Sequence, residues 1–395
     1  MHLKTFGPVD ERALKQLERC STEAFAAVLC ADHHPGYSQP IGGAIAYKDH
    51  VSPSGVGYDI GCGNKAVLTD LMVADVDVKK VMDEIVRQIG FGIGRPNPEP
   101  VDHEVLDHVN RAEFKPQRKL NQLAASQLGT VGSGNHYVDL FEDQRGRLWI
   151  GVHFGSRGFG HRTASGFLAM SRGRAFDEKV NEGEMDSPPV LFRTDSEIGQ
   201  DYLAAMHLAG EYAYAGRDLV CEKVLGILGA KELKSVHNHH NFAWKEKHMG
   251  EDVWVVRKGC TPAFPGQQGF VGATMGDNSV ILEGIDSEES KQGLYSTVHG
   301  AGRVMSRRQA AGQIRWQKGI PTVVKPGSVD WNAVRAKMAD KGIELRGGGA
   351  DEAPEVYKRL DEVLKHQGET IKVLHRLKPV GVAMAGIDVY DPYKD

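Results

Sequence analysis

Short β-forming runs at residues 66–73, 148–154, 253–256 and 280–282 each lie beside a glycine-rich turn, with helical periodicities between them at irregular intervals. A doubly wound sheet or a (β/α) barrel requires strands and helices in regular alternation. The pattern therefore selects an α+β fold with an irregular, loop-built centre. Asp10 starts one or two helices over residues 10–30, with Leu14, Leu17, Phe25, Val28 and Leu29 at helical spacing. Asp77 caps another, whose apolar face is Val78, Val81, Met82, Ile85 and Ile89 and whose stop is Gly90. Residues 201–228 read as a long helix or a broken pair, and a late helix runs over residues 353–364 from near Pro354. Pro96, Pro98 and Pro100 make residues 91–102 a surface loop. No internal repeat or low-complexity linker divides the chain, so residues 1–395 are expected to form a single domain.

Bulk properties narrow the class of function. A formal net charge of −4 argues against a basic surface wrapped in nucleic acid, so such a partner must be held locally. No apolar run approaches the roughly 18–20 residues of a membrane span, and the N-terminus leads into no signal-peptide core. A soluble, cytoplasmic protein without a membrane partner is expected. Five cysteines, an odd number, suit a reducing compartment better than a disulfide framework. Seventeen histidines, three of them within residues 237–240, direct attention to metal or phosphate chemistry.

Five segments hold the candidate residues. In residues 51–63, Asp59 and Cys62 share a glycine-rich loop where a carboxylate and a thiolate can bind one ion or the sulfur can bridge two; a turn with a buried free cysteine is the bland alternative. Upstream, Asp32, His33 and His34 fall in a second turn-rich stretch, residues 32–43. Asn135 and His136 follow Gly132-Ser133-Gly134, where glycine permits close backbone approach to a ligand. His153 ends an apolar strand that opens into Gly155-Ser156-Arg157-Gly158, a composition suited to an oxyanion. His237-Asn238-His239-His240-Asn241 is the densest polar cluster and reads as a buried site rather than a solvated loop. Finally, His299 stands among Gly300, Ala301 and Gly302 with Arg303 beyond: an uncrowded histidine able to attack phosphorus, or a helix-capping turn. One cysteine, one aspartate and several histidines suit manganese, zinc or cobalt alike.

Taken in order, Asp59-x-x-Cys62, Gly134-Asn135-His136, His153 with Gly155-Ser156-Arg157-Gly158, His240-Asn241, Arg257-Lys258-Gly259 and His299-Gly300-Ala301-Gly302-Arg303 resemble the motifs of the RtcB family of RNA ligases, from residue 32 to about residue 358. The resemblance implies two manganese ions sharing the Cys62 thiolate, one completed by His153 and His240 and the other by Asp59 and His136. It implies GTP as cosubstrate and catalytic roles for His299, Arg303 and Asp32. Nucleotide contacts fall on Asn135, Asp139, Asn241, Thr274, Met275, Ser279, Tyr357 and the loop of His299, Gly300, Ala301 and Gly302. The implied reaction joins an RNA 3′-phosphate or 2′,3′-cyclic phosphate to a 5′-hydroxyl through a histidine–GMP adduct and a GMP-capped 3′ end, in RNA repair or tRNA splicing. Arg157, Arg303, Arg307 and Arg308 are the cations expected at RNA or nucleotide phosphates.

The sequence also departs from the family pattern. Asp139 stands where a glutamate is common, residues 260–265 lack an arginine often seen there, and residues 380–386 lack the terminal Lys-Gly, leaving Lys394 as a substitute. A divergent branch with relaxed nucleotide recognition is the resulting expectation. The competing readings are a dinuclear metal phosphoesterase working without nucleotide transfer, and a noncatalytic RNA-binding relative. His299 discriminates between ligase and hydrolase, because hydrolysis needs no covalent guanylate.

Overall fold

Two mixed-length sheets organise the computed structural model, which describes residues 2–179, 184–317, 320–387 and 389. The larger has eight strands. Seven run in the order Gln268–Val271, Ser279–Gly284, Ile371–Gly386, Tyr137–Glu142, Arg147–Phe154, Gly63–Met72 and Glu232–His239, all antiparallel, and Glu344–Gly348 pairs in parallel with Ile371–Gly386. The second has the order His2–Thr5, Ala26–His34, Ile41–Tyr47, Glu251–Lys258 and Asn241–His248. A single residue, His240, separates the last strand of one sheet from an edge strand of the other. The chain thus crosses between sheets at a candidate ligand residue.

The helices are scaffold. Ser196 caps the Gly199 amide and Gly229, at φ 65°, ends the helix Glu197–Leu228, one continuous element where a broken pair was possible. Its Val220 and Val224 pack with Val67, Ile150, Val152 and Phe154 of the large sheet. Helix Val78–Gln88, capped by Asp77 at the Lys80 amide, adds Val81, Met82 and Ile85 to the same core. Each fully buried aliphatic side chain contributes about 1.5–3 kcal/mol, so this packing holds the central strands in register. No helix among the described residues is long and apolar enough to cross a membrane.

Four expectations require correction. Only Glu11–Cys20 of residues 10–30 is helical; Val28 and Leu29 belong to the strand Ala26–His34. That strand is buried on both faces between two neighbours, so its apolar run has no period by which to tell strand from helix. Asp32, His33 and His34 accordingly end a strand and do not sit in a turn. The expected helix at residues 353–364 is a short turn, Pro354–Val356, followed by a helix at Leu360–His366. Between them Tyr357 is extended, because it bridges to Arg303 while the Lys358 amide donates to Gly302 O at 2.9 Å. The centre is also less loop-built than expected: His153 lies within a strand, and His136 and Cys62 immediately precede strands. Lys394 lies outside the described residues.

Candidate active site

Sheet register assembles the site. Gly63 pairs with both Phe154 and His239, Asn64 pairs with His153, and Tyr137 pairs with His153. Cys62, His136, His153 and His240 are therefore delivered to one end of neighbouring strands. Two groups of donors result: Cys62 with His153 and His240, and Asp59 with Cys62 and His136, the ligand atoms of each lying within 4.8 Å of one another. Cys62 Sγ is 3.6 Å from His153 Nε2 and 3.8 Å from His136 Nε2, and His136 Nε2 is 3.2 Å from Asp59 Oδ2. Two ligands bound tetrahedrally to one ion at ordinary bond lengths stand roughly 3.5 Å apart, so these separations suit a shared cation.

The remaining ring nitrogens support that reading. His153 Nδ1 donates to Asn64 Oδ1 at 2.5 Å and His136 Nδ1 donates to Val131 O at 3.0 Å, which leaves each Nε2 lone pair facing Cys62. His240 Nδ1 is buried without a hydrogen-bond partner, a costly state that a cation would relieve. Burial holds His153 and His240 well below the ordinary histidine range, so both are neutral donors. Burial opposes ionisation of Asp59, but the His136 ring 3.2 Å away and the Cys62 thiol outweigh it and bring the carboxyl to about 2. Burial and the Asp59 charge push the Cys62 thiol up, so a thiolate here needs a compensating cation. Gly155 makes room: a Cβ there would stand 2.3 Å from Asp59 Oδ1.

His299 lies beside this cluster, its ring 4.9 Å from that of His240. Nδ1 donates to Asp32 Oδ2 at 2.7 Å, and the amides of His299 and Gly300 donate to the same oxygen at 3.0 and 3.3 Å. Although burial opposes a charge on Asp32, His299 keeps the carboxyl below its usual range. A carboxylate holding Nδ1–H leaves Nε2 as the free lone pair. Gly259, at φ 61°, clears the space, since a Cβ there would meet His299 Cε1 at 3.0 Å.

The other expected residues divide into groups. Arg303 donates to Tyr357 Oη at 2.9 Å and to Asp351 O at 2.8 Å, and its guanidinium lies over the Tyr357 ring. Arg307 is ion-paired with Asp351 and Glu352, and Arg157 donates to Thr130 Oγ1 and Gly92 O. Arg303, Arg307 and Arg157 are thus engaged within the protein, while Arg308 is exposed. Asn241 Oδ1 accepts from Gly259 N at 2.8 Å and ties the His240 turn to the floor beneath His299. Ser279 Oγ accepts from Ala273 N, closing the turn that carries Thr274 and Met275. Met275 packs with Tyr137 and Met384, and Asn135 is half-buried beside His136. Asp139 lies within strand Tyr137–Glu142; burial raises its carboxyl far above the usual range, and Oδ1 has no partner. Ala301 is buried, and Gly302, at φ 77°, passes so close to Asp32 O that a Cβ would stand 2.1 Å from it.

Sequence reading missed Arg217. From the middle of the long helix its Nη1 donates to Gly61 O at 2.9 Å and Phe154 O at 2.6 Å, Nε donates to His237 Nε2 at 2.8 Å, and Nη2 donates to His239 Nδ1 at 2.9 Å. Gly61, Phe154 and His239 each neighbour a metal-ligand candidate. The polar cluster at residues 237–241 thereby splits by strand alternation: His237 and His239 face Arg217, and His240 joins the Cys62–His153 donor group. That alternation was the available signal.

Comparison with known proteins gives a consistent result. Residues 14–385 match a family model described as tRNA-splicing ligase RtcB. The chain is 30% identical over 411 aligned residues to the RNA-splicing ligase RtcB of Escherichia coli K12, covering 94% of each chain. It is 30% identical to the tRNA-splicing ligase RtcB of Archaeoglobus fulgidus, covering 91% of this chain and 87% of that one. Against the RNA-splicing ligase RtcB of Mycobacterium tuberculosis the identity is 30%, with coverage of 90% and 96%.

Proposed function

We propose, from the premise that this chain belongs to the RtcB family, that it is a GTP- and manganese-dependent RNA ligase joining 3′-phosphate or 2′,3′-cyclic phosphate ends to 5′-hydroxyl ends. The observation that carries the reading is the Asp32–His299 pair beside two groups of ligand atoms that share Cys62. Asp59, Cys62 and His136 would hold one ion, and Cys62, His153 and His240 the other. Bound there, the ions would supply Lewis-acid stabilisation of phosphate charge.

The chain's own residues perform the covalent work. His299 Nε2 attacks the α-phosphorus of GTP; a P–N bond forms, the α–β P–O bond breaks, and pyrophosphate leaves. Asp32 accepts the Nδ1–H hydrogen bond through this step, keeping the proton on the ring, and stabilises the charge that the ring acquires on phosphorylation. An RNA 3′-phosphate oxygen then displaces the histidine, giving a GMP-capped 3′ end and restoring the imidazole. A 5′-hydroxyl attacks the capped phosphorus, loses its proton, forms the phosphodiester and releases GMP. Cyclic ends are first opened by water to the 3′-phosphate. Asn135, Asp139, Asn241, Thr274, Met275, Ser279, Tyr357 and the loop at Gly300, Ala301 and Gly302 are assigned to the nucleotide, with Arg303 fixing Tyr357 and the loop.

Incubating the protein with manganese and α-labelled GTP tests the reading. An acid-labile label is expected on His299 and absent from His299→Ala, which should still bind manganese. An adduct on another residue, or one surviving in His299→Ala, overturns the mechanism. Metal-dependent hydrolysis of cyclic phosphate with no adduct in the parent protein would establish the phosphoesterase instead.

A further inference from the structure

The forty residues 290–329, which contain His299, include no aspartate or glutamate and seven lysines and arginines, in a chain whose net charge is −4. Much of this segment projects as a ribbon of two antiparallel strands, Gly312–Gln317 and Ile320–Pro326, paired only with each other. Register places Gln313 opposite Lys325 and Arg315 opposite Thr322, so these four share one face. Ile314 lies opposite Val323 on the other. Arg315, Val323, Val324 and Lys325 are exposed, and neither Arg315 nor Lys325 has an ion pair among the described residues.

The ribbon is anchored to the active site at its base. Ser328 N donates to Gln309 O and Val329 N to Ala310 O, fixing both ends against the helix Arg307–Ala311. Arg307 of that helix pairs with Asp351 and Glu352, and Glu352 also accepts from Tyr357 Oη beside Arg303. Arg307 Nη2 further approaches the Gly134 that precedes Asn135 and His136. A solvent-facing two-stranded ribbon is marginal by itself, and one stripped of carboxylates repels cations and attracts phosphate.

We propose that the ribbon is an RNA-docking arm, in which Arg315 and Lys325 hold backbone phosphates of the strand whose end reaches His299. The proposal rests on the ligase reading, but its test separates the two. Its prime readout is binding of single-stranded RNA ending in a 3′-phosphate, measured against salt concentration without GTP. The variant Arg315→Ala/Lys325→Ala should bind that RNA more weakly. Loss of two single-strand phosphate contacts should also shallow the log–log salt slope by about 1.4. Arg315→Lys/Lys325→Arg, which keeps the charge, should retain the parental slope and affinity to within a few fold. Adduct formation from GTP alone should be unchanged in both.

Unchanged RNA affinity and slope in the alanine variant overturn the arm, as does a charge-keeping variant that binds as poorly as the alanine variant. Parallel loss of adduct formation also overturns it, in favour of structural support for the His299 loop. Absence of any adduct in the parent protein would defeat the ligase reading while leaving the RNA-binding result intact.

Discussion

One oxygen of Asp32 accepts three hydrogen bonds from the His299 loop, including that of His299 Nδ1 at 2.7 Å, although the two residues are 267 positions apart in sequence. The second Asp32 oxygen is buried without a partner. This carboxylate therefore serves the histidine almost exclusively, fixing its tautomer and its orientation together.

Asp32→Asn should keep the fold and weaken the nucleophile. Exchanging a charge-assisted hydrogen bond for a neutral one costs about 1–2 kcal/mol, so the single-turnover rate of adduct formation should fall about 5- to 30-fold. Manganese affinity should change little. An adduct rate within twofold of the parent would remove Asp32 from the mechanism.

Cys62 belongs to both ligand groups, whereas every other donor belongs to one. Cys62→Ala should therefore lose both manganese ions, and His153→Ala should perturb chiefly one. Calorimetric titration with manganese gives the stoichiometry directly. Two tightly held ions in Cys62→Ala would rule out a shared thiolate.

Arg217 satisfies acceptors on Gly61 and Phe154 and on the rings of His237 and His239, at or near the strand ends that carry the candidate metal ligands. Arg217→Met leaves Phe154 O without this donor at roughly 1–3 kcal/mol and leaves Gly61 O and His239 Nδ1, 2.9 Å apart, only each other, so the thermal midpoint should drop. Manganese affinity should fall about 10–100-fold, the usual range for a group that orients metal ligands. Arg217→Lys should lie between. A variant destabilised but with unaltered metal affinity would reduce Arg217 to a purely structural residue.

Glu246 forms two hydrogen bonds to Arg257, at 2.6 and 2.9 Å, and Arg257 in turn donates to Ser296 Oγ and Leu294 O behind the strand leading to His299. Burial works against the Glu246 charge, but Arg257 and His248 outweigh it and hold the carboxyl below its usual range. The folded-state pKa is thus depressed. Its stabilisation is present above the unfolded value of about 4.3 and is lost as pH falls through the lower folded value. Melting curves of the parent and Glu246→Gln should differ most near neutral pH and converge in acid. A gap that widens on acidification would reverse the assigned sign.

Much of the chemistry was legible in the sequence because the reactive residues sit in glycine-rich local patterns. Asp59, Cys62, His136 and His299 each stand within a few residues of glycines, a spacing read without the fold, whereas the glycines that clear space for Asp59 and His299, Gly155 and Gly259, come from distant segments. The caps at Asp10 and Asp77 are equally local, each formed with amides two or three residues away. Tertiary structure alone settled the fate of residues 26–34, since a strand buried on both faces shows the same apolar run as a buried helix. It also bent the chain at Tyr357 against its helical pattern, because the bridge to Arg303 uses backbone groups that a helix would have kept. Arg217 and Asp32 could not be assigned from spacing, since their partners lie up to 156 and 268 positions away and no periodicity encodes so distant a contact. The sequence by itself determined which atoms are available for metal and phosphate chemistry. Sheet register and the crossing at His240 decided which of them meet, because only long-range strand pairing converts positions along a chain into distances of a few ångströms.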